Sequence, residues 1–399
     1  MTDRTPLKDL QVIDLTRALA GPVCSMLLGD LGADVVKVEN PAGGDEARSW
    51  GPPSIAGESG YFLSSNRNKR SIAIDIRTEQ GAGLVRRLAE SADILLENFG
   101  PGVAERYGFD AETLQKLNPR LVYCTIASFA PGSRYEDVPG YDFVIQAMSG
   151  LMSVTGESDG QPQKVGVAVV DILAGLYASS AVLAAVHRRD RTGRGERVTV
   201  PLMDVALASL ANVASNYLIT GRRPARWGNA HANLVPYQPF PTADRPLAVG
   251  VGNDAQFARL VAVLGRPDLA EDDRFRTNPD RVRNREELLP VLEAAFRTRP
   301  AEEWARELWG TRVPAAPVNS VDEIFADPYV AETGLVRQVD HTTAGKVSVV
   351  GSPLRIDGER PEVELPPPAL GEHTDAVLRE RLGMPDEEIA RLREAGVVG

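Results

Sequence analysis

A single carboxylate stands in the run Val165-Gly-Val-Ala-Val-Val-Asp-Ile-Leu-Ala-Gly175. Asp171 has only apolar or small neighbours there, at the point where a strand pattern gives way to a helical one. Two compatible readings fit it. As a helix N-cap, an Asp side chain accepts hydrogen bonds from the free backbone amides of the first turn. As a poorly solvated carboxylate it is also a stronger nucleophile, able to attack an activated acyl group and form a mixed anhydride. The positive end of the helix would help keep it ionised.

Three further segments carry polar groups with chemical potential. Arg67-Asn-Lys-Arg70, with Arg77 and Arg106 brought near by strand pairing, has the makings of a phosphate-binding cluster or of a solvated charged face. Asn98-Phe-Gly-Pro-Gly102 follows an apolar strand. Ligands gather beyond strand C-termini in open parallel sheets, and a plain turn is the competing reading. Arg17-Ala-Leu-Ala-Gly-Pro22, with Glu39 closing the next strand, has the layout of a dinucleotide turn. It lacks the G-x-G-x-x-G fingerprint, which disfavours NAD or FAD. P-loop, H-E-x-x-H, C-x-x-C and G-x-S-x-G motifs are absent, and His187, His231, His341 and His373 are scattered. No metal site and no tightly bound cofactor are expected.

The elements that must position these groups alternate. Leu10–Leu15, Ala33–Glu39, Ser71–Ile76, Ala92–Glu97, Leu121–Ile126 and Arg197–Pro201 read as strands, with helices over Val23–Asp30, Gln80–Ala89 and Ala111–Leu117 between them. Repeated β-then-α units predict an α/β domain with a buried parallel sheet. Asp171–Asp190 reads as a helix apolar nearly all round, hence deeply buried, and Asp204–Tyr217 as another helix. Near 221–245 Gly, Pro, Arg, Asn and aromatics become dense, as at a domain entry. Residues 254–311 look helical, with Trp304 and Trp309 as core candidates, and Pro314–Pro317 looks like an exit linker. A β-rich stretch, Gly345–Pro353, and a final helix, Glu387–Ala395, close the chain.

Composition is that of a globular chain of 399 residues, 43% hydrophobic and 25% charged. That length predicts two domains. A net charge of −11 argues against nucleic acid as a partner. Cys24 and Cys124 lie in apolar stretches and read as buried free thiols. Val165–Val186 has the length of a membrane span, but Asp171 would be costly in lipid. The N-terminus lacks a signal-peptide core, so the chain reads as cytoplasmic with no membrane partner.

In order along the chain, several segments resemble the family III CoA-transferases, also called the CaiB/BaiF family. They include Ala20-Gly-Pro22, Leu28-Gly-Asp-Leu-Gly-Ala-Asp-Val-Val-Lys-Val-Glu39, Lys69-Arg-Ser71 and Glu97-Asn-Phe-Gly-Pro-Gly102. They continue with Gly140-Tyr-Asp-Phe-Val-Ile-Gln-Ala147, Gly193-Arg-Gly195, Asn233-Leu-Val-Pro-Tyr-Gln238 and Pro314-Ala-Ala-Pro-Val-Asn319. The resemblance implies a Rossmann-like large domain formed by both chain ends (1–220 and 321–399) and a smaller α/β middle domain (221–320). It also implies an interlocked, ring-through-ring homodimer. It puts the catalytic aspartate at Asp171 and CoA contacts at Leu19, Ala20, Ile74, Arg77, Asn98, Phe99, Gly100 and Arg106. Tyr141 falls in the thioester pocket. Coenzyme A, as acyl-CoA, and a small carboxylic acid would be substrates. The formyl/oxalate enzymes of the family carry glutamine at the position of Leu19, and a glycine run where this chain has Val249-Gly-Val-Gly-Asn-Asp-Ala-Gln-Phe257. These departures point to an acyl group larger and less polar than oxalate. The α-methylacyl-CoA racemase branch carries a histidine where this chain has Tyr141, before Asp142. Tyr is a poor base at neutral pH, which favours transfer over racemisation. A non-catalytic acyl-CoA binder is the remaining alternative.

Overall fold

The computed structural model describes residues 5–399. Six strands, β1 (Gln11–Asp14), β2 (Asp34–Glu39), β3 (Lys69–Ala73), β4 (Ile94–Glu97), β5 (Val122–Ala127) and β6 (Arg197–Pro201), form one sheet. Their order is β3-β2-β1-β4-β5-β6, and all neighbours are parallel. The chain therefore begins in the middle, winds to one edge, returns, and winds to the other. The turning point lies between β1 and β4, where a doubly wound sheet opens a crevice at its strand C-termini.

The central strands are apolar on both faces because both are covered. Val12, Val35, Ile94 and Val122 pack under helices α1 (Ala20–Asp30) and, further along the chain, Val169–Thr192. Their neighbours Ile13, Val36, Leu95 and Tyr123 pack under α2 (Glu79–Ser91) and the C-terminal helices Thr374–Leu382 and Asp386–Glu394. This is the period-two alternation of a strand with two buried faces. The C-terminal segment also docks on the backbone at the end of β3: the His373 amide donates to the Ser71 carbonyl and the Gly399 amide to the Ala73 carbonyl. Both chain ends thus build one unit. It comprises the residues up to Leu151, Val165–Thr220 and Ala331–Gly399.

A second unit comprises Met152–Lys164 and Gly221–Val330. It reaches further than the 221–320 read from sequence and takes in a short segment from earlier in the chain. Its sheet has three antiparallel strands, with Leu247–Gly250 between Tyr237–Phe240 and Ala315–Pro317. Phe240, Phe257, Phe296 and Trp304 form its core with the surrounding helices.

Several expectations are corrected. The proposed exit linker is an edge strand, where proline's missing donor is tolerated. Trp309 is 53% exposed, because Trp304, Ala305 and Leu308 already occupy the inner face of their helix. Asp204–Tyr217 is two helices, Leu202–Ser209 and Ala211–Thr220, bent by 76° at Ala211, whose φ is +45°. Val165–Ala168 is irregular rather than a strand. The helix that follows buries one face, through Val170, Ala174, Ala178 and Val182, and leaves Ile172, Leu176 and Tyr177 exposed. It is long and apolar enough to cross a membrane by length and composition, but its buried face is part of the large unit's core.

Candidate active site

Two loops at the C-terminal ends of β1 and β4 frame the site. Asp14, wholly buried, closes β1 and accepts hydrogen bonds from the Thr16 amide (2.9 Å) and from the Thr16 and Ser25 hydroxyls (both 2.5 Å). The next turn leads into α1 at Gly21, where an added Cβ would come within 2.2 Å of the Thr16 side chain. Glu97 closes β4, accepting from the Phe99 amide (2.8 Å) and the Thr125 hydroxyl (2.5 Å). Asn98 then stitches the loops together. Its oxygen accepts from the Arg17 amide (3.0 Å) and its nitrogen donates to the Arg17 carbonyl (2.9 Å).

Helix α3 (Asp142–Met148) and helix α4 (Val169–Thr192) bring the carboxylates to this frame. Gly175 allows α4 to lie directly on α1: a Cβ there would meet the Ala20 carbonyl at 2.7 Å and Val23 at 2.8 Å. Asp171 is the third residue of α4, not its cap. The cap comes from Asp142, whose Oδ1 accepts from the amides of Val170 (2.8 Å) and Asp171 (3.3 Å). Gln146 braces the arrangement, donating to Asp142 Oδ2 (2.5 Å) while accepting from the Val165 amide (2.9 Å).

Because Asp142 takes over the capping, the Asp171 carboxylate accepts no hydrogen bond from any described residue. Burial, and then the nearby Asp142 charge, push its pKa up to about 7. Desolvation therefore outweighs the helix end that was expected to keep it ionised. The result is an uncommitted carboxylate on the wall of a cleft of about 760 Å³.

The cleft brings together Asp171, Leu19, Ala20, Asn98, Phe99, Gly100 and Tyr141. An added Cβ on Gly100 would meet nothing within 4 Å, so a ligand can approach that backbone closely. Trp50 stands edge-on to Tyr61 (4.8 Å) and to the cleft-lining Tyr141 (6.4 Å). The Tyr61 phenol is pushed up by burial and then by the charges of Asp171 and Asp142, so it shares their surroundings. Nothing local in the sequence marks Trp50 and Tyr61, because folding alone brings them to Tyr141. Glu97 was readable as an acid at a strand end, whereas Asp142 stood out only within a family segment and its helix was not foreseen.

Ile74, Arg77 and Arg106 do not line this cleft. Ile74 is wholly buried in the core, Arg77 is exposed and paired with Asp75 (2.8 Å), and Arg106 is exposed on the short helix Val103–Tyr107. The Arg67–Arg70 cluster is not a phosphate site either. Arg67 is buried against Asp30 (2.5 Å), Lys69 is wholly buried beside Asp14 (3.3 Å), and Arg70 pairs with Asp34 (2.6 Å) and Glu380 (2.7 Å). The acids that neutralise these cations are distant in sequence and adjacent in the fold. Glu39 is also occupied, by Arg48 (2.8 Å) and Ser71 (2.6 Å), which removes the acid a dinucleotide ribose would need. His231 accepts from the Asn233 amide within its own loop, a structural role.

A doubly wound sheet with a bare carboxylate at its crevice suits acyl transfer, and sequence comparison supplies the class. Residues 7–374 match CoA-transferase family III, and the chain belongs to that family. It is 42% identical to the succinyl-CoA:glutarate CoA-transferase of Mus musculus, over 98% of this chain and 90% of that one. It is 44% identical to the succinate–glutarate CoA-transferase of Agrobacterium fabrum, over 95% and 98%. A crystal structure of a CaiB/BaiF family protein from Brucella suis superimposes with a TM-score of 0.83 at 43% identity, over 95% of this chain and 100% of that one. The protein is a CoA-transferase.

Proposed function

We propose that the protein exchanges CoA between dicarboxylic acids, in the manner of succinyl-CoA and glutarate, with Asp171 as covalent nucleophile. The observation that carries this is the Asp171 carboxylate, unpaired and desolvated, on the same cleft as Leu19, Ala20 and the Asn98–Gly100 loop. The names of the Mus musculus, Homo sapiens and Agrobacterium fabrum relatives support the dicarboxylate pair.

In the first step an Asp171 oxygen attacks the donor thioester carbonyl. The C–S bond breaks, and CoA leaves as thiolate from an acyl-aspartyl anhydride. The thiolate then attacks the aspartyl carbonyl, the anhydride C–O bond breaks, and the donor acid departs as its carboxylate. The acceptor carboxylate repeats the sequence in reverse on the aspartyl-CoA thioester, and the acceptor leaves as its CoA ester with Asp171 regenerated. Each step trades one activated acyl group for another, so water must be kept out. The apolar lining of Leu19, Phe99, Ile126, Phe129 and Leu202 suits that need.

A homodimer belongs to the same reading. Ile172, Leu176, Tyr177, Leu207, Leu218 and Ile219 expose an apolar surface on α4, α5 (Leu202–Ser209) and α6 (Ala211–Thr220) of the kind that subunits cover. The function is tested by incubating the protein with succinyl-CoA and a panel of acids. Glutaryl-CoA and free succinate are expected. Formation of no new CoA ester with any acid contradicts the assignment.

A further inference from the structure

The loop that opens the cleft is held from below by buried charges the transfer mechanism does not use. Lys37 is wholly buried and Asp45 is 1% exposed, and they form an ion pair of 2.9 Å. Lys37 also donates to the Thr16 carbonyl (2.7 Å), and Asp45 Oδ1 accepts from the Ala18 amide (3.0 Å). The four groups close a ring, from Thr16 carbonyl through Lys37 and Asp45 to Ala18 amide, that brackets Arg17. On the opposite side Asn98 holds both backbone groups of Arg17. Within the bracket Ala18 has φ +68°, a left-handed conformation that a residue with a Cβ avoids unless its surroundings impose it. Leu19 and Ala20, the next two residues, line the cleft.

We propose that Asp45 is a positioning residue for acyl-CoA, fixing the Ala18 backbone in its left-handed shape so that the Leu19–Ala20 backbone is set before the coenzyme arrives. The inference rests on the reading of the cleft as the acyl-CoA site. Asp45 touches no substrate. It acts through Ala18, while the same Oδ1 caps the Glu46–Ser49 turn through the Ala47 amide (3.0 Å). The affinity that Ala18→Gly restores is the part that passes through Ala18. A binding surface ordered in advance does not spend affinity on ordering itself.

The test titrates free CoA calorimetrically into the full chain, with melting temperatures recorded in parallel. Asp45→Ala is expected to weaken CoA binding roughly tenfold, the scale of one hydrogen bond to a charged acceptor. Ala18→Gly added to that variant should recover much of the affinity, since glycine adopts φ +68° without cost, while leaving the melting temperature low. Wild-type affinity in Asp45→Ala, or no recovery in the double variant, overturns the positioning role. A wild-type protein that binds no CoA overturns the reading of the cleft, and the positioning role with it. If Asp45→Ala does not fold, hydrogen exchange on the wild-type protein decides. The Ala18 amide should be as protected as β1 in the absence of CoA, and exchange at the rate of an open loop overturns the proposal.

Discussion

Asp14 and Asp171 are both taken out of water within one unit, yet their surroundings give them opposite characters. For Asp14, burial alone would raise the pKa, but Lys69, Lys37 and the hydroxyls of Ser25 and Thr16 outweigh it and bring the pKa down to about 2. Asp171 has no donor and faces Asp142, and its pKa rises to about 7. Burial sets no role by itself. A carboxylate whose lone pairs are all engaged holds the fold, and one whose lone pairs are left bare is available for chemistry. Asp142 keeps the two apart in character at the cleft, by satisfying the α4 amides of Val170 and Asp171.

That contrast can be broken from either side. Asp171→Ala should fold and still bind CoA but lose transfer by more than about 10³-fold, the scale for removing a covalent nucleophile. Steady-state assay beside CoA titration checks this. Asp14→Asn should do the reverse and destabilise the protein by about 3–5 kcal/mol, because Lys69 and Lys37 lose a buried partner charge. Denaturant melts read that loss. In the wild type, Asp14's contribution is present above the ordinary carboxylate pKa and is lost as pH falls toward about 2.

Two smaller effects sharpen the comparison. Attack requires ionised Asp171, so kcat/KM for the donor should rise about tenfold per pH unit below a bend near pH 7 and level off above it. A profile flat from pH 5.5 to 8 would show that Asp171 is already ionised. The raised pKa also means that the folded state binds a proton more tightly than the unfolded one. Asp171 therefore costs stability as pH climbs from the ordinary carboxylate range through 7. Asp171→Asn should consequently melt about 2 °C above wild type at pH 8, with the gap vanishing near pH 4.

The alternation of strands and helices was legible because the central strands are apolar on both faces, and the edge strand Arg197–Pro201 was read to the residue although Arg197 and Thr199 are exposed. The same signal misled at α4, where a helix apolar all round was taken as buried all round although Ile172, Leu176 and Tyr177 face outward. Asp171 was legible because an isolated acid in an apolar run is conspicuous. What held it was not, since Asp142 reaches it only through the packing of α3 against α4. The Arg67–Arg70 cluster failed for the same reason. A cation's availability depends on acids such as Asp14 and Asp30, which only the fold brings beside it.

The covalent role of Asp171 is tested most directly by trapping. The protein is incubated with excess succinyl-CoA, quenched with hydroxylamine, digested and read by mass spectrometry. An aspartyl hydroxamate at Asp171 is the predicted result. An unmodified Asp171 peptide, from enzyme that turns over under the same conditions, would contradict the covalent route.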